Sequence, residues 1–268
     1  MIKPVNDAHS IKAVAFILEF DKEINKPGLD VVSEAYKRFR KKLLLKRVIR
    51  RFNINLNIFD GHAAAPDSTA GYRFFTKAKD DTEEAWFEIS SNRAVYCTSN
   101  YVDFNSFLAE ALYYAEVSIA AFAHAGASIV KIGIEYRDEF ISPDISWPIE
   151  SLINLESPYL SRAAIKQGEF WHSHCGTMSE SAIGKRLDVL KVEHVQTSDI
   201  NDEDHHDFRV VVVLTHLVDV EPRLVTNVDI DGIRDYLDTA IASLRVAHKS
   251  MFRSIISQSM LTAVGLDS

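Results

Sequence analysis

The chain has 268 residues, is 47% hydrophobic and 25% charged, and carries a formal net charge of −8. These values fit a globular protein and exclude a disordered or collagen-like body. They also exclude uniform attraction of the surface to nucleic acid or anionic membrane. No run of about 18 apolar residues occurs, and the start, from Met1 to Asp7, has no apolar stretch before a small-residue cleavage site. Neither a membrane span nor a signal peptide is therefore expected. With Cys97 and Cys175 as the only cysteines, a soluble cytoplasmic protein with reduced thiols is expected.

Ile11 to Phe20 is a nearly continuous apolar run of strand length. Pro27-Gly28 punctuates the chain, and Leu29 to Leu45 reads as a helix with Val32, Tyr36, Phe39 and Leu43 at helical spacing. Arg47 to Phe59 alternates as a half-buried strand. Gly61 to Gly71 reads as a surface loop. Tyr72 to Ala78, Ala85 to Ser90 and Ala94 to Thr98 are short strands joined by turns. Asp103 can cap a helix whose apolar face runs Phe104, Leu108, Ala111, Ala115, Ile119 and Phe122. Gly126 ends it, and Ser128 to Phe140 alternates again.

From Ser142 to Gly168 the chain reads as a connector with one or two short helical turns. Three strands follow, Glu169 to Met178, Arg186 to Val195 and Phe208 to Val220, with Thr197 to Asp207 as a polar, acidic hairpin loop. The last strand is apolar on both faces and belongs in the middle of a sheet. Asp229 or Asp231 starts a final helix with Ile233, Leu237, Ile241, Leu244, Ala247, Met251 and Ile255 on its buried stripe. Short turns between successive strands favour antiparallel pairing. The expected class is α+β: mostly antiparallel sheet packed by two or three long helices in two intertwined halves. Residues 1–141 form the N-terminal half, 142–168 the connector and 169–268 the C-terminal half, together one compact unit. No sequence repeat is visible.

Three stretches carry a resemblance. They are Trp86 to Ser90 leading into Tyr101 to Phe107, the strand Lys131 to Asp138, and the last helix with His248 and Phe252 ahead of Gly265-Leu266. In this order they resemble a sporadically distributed family of uncharacterised prokaryotic proteins of about this length. The stretch from Ser142 to Asp207 has no part in the match. The resemblance implies no catalytic residues. Its sporadic distribution implies an accessory role such as defence, immunity or conflict with mobile elements.

Chemistry-bearing residues are few. His172 and His174 share one face of a strand, with His205 and His206 as candidate further ligands for a borderline metal. A solvent-facing polar edge on a half-buried strand is the better explanation of the pair, so no metal or other cofactor is expected. His216 sits in the apolar run, either as a core-edge histidine bonded to backbone or as a base. The loop Asp199 to Asp207 lacks the glycine and distant glutamate of a calcium loop, and the Asp229-x-Asp231-Gly232 pattern reads as a helix start. No phosphate-binding loop, dinucleotide fingerprint or nucleophile elbow occurs.

From Lys37 to Arg51 lie nine basic residues and no acid. Arg38, Lys41, Lys42 and Lys46 are candidates for a patch that meets an acidic partner protein or phosphate. A solvated helix face is the alternative. The reading is a non-enzymatic protein-binding accessory protein, with another protein as partner, self-association left open and no membrane. The alternatives are a metal-dependent enzyme centred on His172 and His174, and a nucleic-acid-associated protein using Lys37 to Arg51.

Overall fold

The computed structural model of the protein describes residues 2–6, 9–51, 68–143, 147–166, 170–199, 202–225 and 230–266. In chain order the elements are β1 (Lys3–Pro4), β2 (Ile11–Phe20), α1 (Lys26–Phe39), β3 (Leu45–Arg51), β4 (Ser68–Lys77), β5 (Glu83–Ser90), β6 (Arg93–Thr98) and α2 (Phe104–Ala123). They continue with β7 (Ser128–Ser142), one 3₁₀ turn (Ile149–Ser151), α3 (Arg162–Lys166), β8 (Trp171–Ser181), β9 (Gly184–Asp199), β10 (Asp202–Val225), α4 (Ile230–Ile255) and α5 (Gln258–Ala263). The class is mixed α and β, built on one large antiparallel sheet.

Runs that are apolar on both faces belong inside a sheet, and that is where the two longest of them lie. β2 pairs with β6 and β7, and β10 pairs with β7 and β9. The full strand order is β3-β4-β5-β6-β2-β7-β10-β9-β8, with β1 also against β7. Every described pairing is antiparallel. Outward from the centre the order reads β2, β6, β5, β4, β3 on one side and β7, β10, β9, β8 on the other. Each central strand is followed in sequence by a helix, a ladder of hairpins that returns to it, and a second helix. The path therefore repeats about the β2–β7 pair, although no repeat is visible in the residues.

The helices lie on one face of the sheet. Val14, Phe16, Leu18 and Phe20 of β2 join Ile132, Ile134 and Tyr136 of β7 in a core with α1, α2 and the first turns of α4. Phe140, Leu190, Val192, Val210, Val212 and Leu214 form a second core with the end of α4, α5 and the 147–166 segment. Asp103 caps α2 as its spacing predicts, accepting from the Ser106 N–H at 2.9 Å. Asn25 caps α1 and also donates to the His124 carbonyl at 2.9 Å, tying the start of α1 to the end of α2. A Cβ on Gly28 would stand 2.5 Å from the Ala121 carbonyl oxygen, so the two helices meet backbone to backbone at a position only glycine fits.

The structure corrects four expectations. The first helix stops at Phe39 rather than Leu45, because Leu43 turns into the core and Leu45 pairs with Phe75 at the sheet edge. β3 is exposed along most of its length instead of half-buried, with Val48 44% exposed, since only β4 flanks it among the described strands. Its predicted continuation to Phe59, and residues 61–67 of the predicted loop, lie outside the described residues. Ser68 to Gly71, the end of that loop, is strand. The acidic segment Thr197 to Asp207 is mostly ladder. His206 pairs with Ser198 and Asp202 with Asp199, so continued hairpin pairing overrides the low strand propensity of aspartate. Asp229 lies outside the described residues, and α4 starts at Ile230.

Candidate functional site

The face of the sheet opposite the helices is covered by no described element. Alternation along the strands places Ala15, Ile17 and Val95 there, with Trp86, Cys97 and Leu217 packed against them. Register joins them: Leu217, Gly133, Ile17, Val95 and Glu88 stand in one cross-strand row. Thr215, Glu135, Ala15, Cys97 and Trp86 stand in the next. Leu217 leans over the bare backbone at Gly133, where a Cβ would come within 2.4 Å of Leu217 Cδ2. Burial pushes the Cys97 thiol up to about 12, so it is an inert part of this apolar centre.

Charges ring that centre, and they are matched. Arg73 bridges Glu83 and Glu88 while its guanidinium lies 3.8 Å from the Trp86 ring centroid. Glu139, itself buried, receives Arg137 at 2.8 Å and Arg209 at 3.2 Å. Lys131 stands 4.0 Å from both Glu19 and Asp219, and Lys191 binds Glu193 at 2.8 Å. Within the centre Ala15, Ile17 and Val95 are buried, Trp86, Cys97 and Leu217 are partly exposed, and the charges around them are matched.

The basic segment lies elsewhere and is split up. Lys42 pairs with Glu110 of α2. Lys46 sits 3.8 Å above the Tyr72 ring centroid, Arg47 pairs with Glu83, and Arg51 pairs with Glu23 at 2.8 Å. Lys37 bonds Glu34 at 2.6 Å. Arg38, Arg40 and Lys41 stand exposed at the end of α1, with no ion pair among the described residues. Of the four candidate patch residues, Arg38 and Lys41 remain together, whereas Lys42 and Lys46 are turned to α2 and β4.

His172 and His174 do share a face, and it is the uncovered one. Both are exposed, while Trp171 and Ser173 are buried on the helix side and Cys175 is partly buried. They stand opposite Glu193 and Lys191, which hold each other. Among the described residues no group of three or more His, Cys, Asp or Glu is placed to hold a metal ion. The side chains of His205 and His206 lie outside the described residues.

The buried polar cluster of the molecule is one the sequence did not join. His216 of β10 is bonded to a carboxylate instead of to backbone: its Nδ1 donates to Asp188 Oδ1 of β9 at 2.7 Å. Arg186 Nε donates to both oxygens of the same carboxylate, at 2.8 and 3.0 Å. Burial pushes the Asp188 carboxyl up, but the hydrogen bonds and charges of His216 and Arg186 together outweigh it and hold the group below its usual range. His248 of α4 stacks on Tyr136 at 3.9 Å and meets His216 edge-on at 5.8 Å. Burial, then the neighbouring His216, keep His248 well below the ordinary histidine range and so neutral. His216 is fully buried, and its Nε2 has no hydrogen-bond partner among the described residues. The described residues place the Asp188–His216 pair inside the core, with Arg186 as the third member of the cluster. The signal that could have found it is the shared register of Asp188 and His216 on adjacent strands.

No helix of the described structure is long and apolar enough to cross a membrane. No family model, no curated protein and no solved structure matches the chain.

Proposed function

We propose that the protein is a non-enzymatic binding protein that recognises another protein through the uncovered face of its sheet, in an accessory role of the defence or mobile-element kind. The observation that supports this reading is the partly exposed pair Trp86 and Leu217, set over the buried Ala15, Ile17 and Val95, on a face no described element covers. Apolar clusters of that kind, ringed by polar residues, are the usual core of a protein interface. The matched ring argues against nucleic acid on this face: phosphate contacts draw on cations free to release counterions, and here Arg73, Arg137, Arg209, Lys131 and Lys191 are each held by an acid.

The test compares wild type with the double variant Trp86→Ala, Leu217→Asp on purified full-length protein of verified fold. Both are used as bait in lysate of the source organism, and both are run by light scattering to read self-association. Partners retained by wild type and by His172→Ala, His174→Ala, but lost by the open-face variant, are the expected result. Partners indifferent to the open-face variant, or a stoichiometric metal lost with the two histidines, would overturn the reading.

A further inference from the structure

A second site lies on the other side of the sheet, away from the uncovered face. Between the last turn after α1, the start of α2 and the ends of β5 and β6 there is a cavity of about 390 Å³. Cavities of this size hold small organic molecules. Its walls are aromatic, with Tyr96, Tyr101, Phe107 and Tyr114. Among its lining charges Glu84, Asp103 and Glu110 outnumber the single cation Lys42.

Glu110 is the organised group of this cavity. Tyr96 donates its hydroxyl to Glu110 Oε2 at 2.9 Å, and Lys42 donates to Oε1. One turn further along α2, Tyr114 is 1% exposed, and its hydroxyl has no hydrogen-bond partner among the described residues. Tyr114 lines the same cavity and stacks on Tyr96 with ring centroids 4.6 Å apart. A buried hydroxyl without a partner is costly, and a ligand that enters past Lys42 and reaches it relieves the cost. The Lys42 side chain is 62% exposed, so the ammonium on Glu110 belongs to a side chain that can swing into water.

We propose that this cavity binds a small organic cation, a primary ammonium or guanidinium, which replaces Lys42 on Glu110. The ammonium gives one N–H to the Glu110 carboxylate and a second to the Tyr114 oxygen, and its stem lies against the rings of Tyr96 and Tyr101. Aromatic faces attract cations, and a carboxylate in a partly desolvated site binds them more strongly than one in water. Lys42 is then the resident competitor. Its removal strengthens binding, whereas a lysine whose only task is to neutralise Glu110 gives the opposite expectation. The same chemistry arrives from two sources, a free amine or a lysine side chain of a partner protein, and the probes separate them.

Calorimetric titration at low salt uses the full chain as wild type, Lys42→Ala, Glu110→Gln and Tyr114→Phe, each checked for an unchanged melting profile. The probes are putrescine and agmatine for a free amine, a blocked lysine tripeptide for a side chain, and n-butanol as the neutral control. Saturable binding of at least one cationic probe is expected, at least about tenfold tighter in Lys42→Ala, at least about tenfold weaker in Glu110→Gln, and weakened in Tyr114→Phe. The butanol control should not bind. Binding of the amines alone assigns a free amine, and binding of the tripeptide alone assigns a partner's lysine. The proposal fails if no cation saturates wild type or Lys42→Ala up to about 10 mM, or if Glu110→Gln binds as well as wild type.

Discussion

In the first half, the sheet and its helices are joined largely by rings. Phe39 of α1 packs edge-on against Phe74, Phe87 and Tyr114, Phe20 stacks on Phe122 at 3.7 Å, and Tyr96 stacks on Tyr114. In the second half, aliphatic side chains such as Leu190, Val192, Val210, Val212 and Leu214 predominate over the rings Phe140, Trp171 and Phe252, and the buried groups Asp188, His216 and His248 join them. The chain path is similar on both sides of the β2–β7 pair, with four strands on one side and three on the other, so path alone does not dictate how a core is filled. The difference has an energetic consequence. Rings contribute area and carry few polar obligations, whereas buried ionisable groups stabilise only while each partner is present and in the right protonation state.

The largest effect should come from placing a charge where neither half has prepared for one. Val212 is fully buried in the central strand β10, so Val212→Asp is expected to cost more than about 5 kcal/mol and abolish soluble, cooperatively folded protein, read from expression yield and circular dichroism. A folded Val212→Asp protein would break the view of β10 as the spine of the second half. Next come two variants that test the contrast directly by urea unfolding. Phe87→Ala should cost about 3–5 kcal/mol at any pH from 4 to 8. Asp188→Leu should cost a similar amount by stranding Arg186 and His216, and adding His216→Leu should recover part of it. Equal costs for the single and double variants would show that the two groups are not coupled.

Asp138 at the seam gives a smaller, pH-signed effect. It is fully buried, and burial pushes its carboxyl up to about 7, against the hydrogen bond it accepts from Ser10 at 2.7 Å. A group raised in the folded state contributes stability that is whole below the unfolded value of 3.8 and is lost as pH rises through about 7. Asp138→Asn should therefore stabilise the protein by about 2–4 kcal/mol at pH 8 and by nothing near pH 3.5, measured as melting curves across that range. A pH-independent difference would mean that the carboxyl is ionised in place. The smallest effect belongs to the exposed end of α1. Arg38→Glu with Lys41→Glu should change stability by no more than about 0.5 kcal/mol per site and produce no loss of nucleic-acid binding, because none is expected at physiological salt. Salt-sensitive binding of DNA or RNA by wild type that these variants remove would move function to that helix end.

The sequence made visible whatever is local. The apolar runs of β2 and β10, the cap at Asp103 and the buried stripe of α4 follow from spacing within a few residues, and they stand where that spacing puts them. Partners across strands were not visible, because register joins residues far apart in the chain. Asp188 and His216 are 28 positions apart, and neither implies the other until β9 and β10 are aligned. Glu110 and Tyr114 left a faint trace, a carboxylate and a phenol one turn apart on a helix that is otherwise mostly apolar. Lys42 drew notice only as part of a charge run, and its bond to Glu110 depends on the turn that ends α1 early.

That turn also delivers the remaining cations to a particular place. Lys46, Arg47, Arg50 and Arg51 all lie on β3, which closes one end of the order of the described strands. A terminal strand offers unpaired N–H and C=O groups to any other chain in solution, and a long apolar one templates fibrils. Leu45 and Val48 leave β3 with enough exposed apolar surface to invite this. Two copies meeting edge to edge would crowd Lys46, Arg47, Arg50 and Arg51 against their counterparts, and long charged side chains along an edge are one of the devices that hinder such pairing.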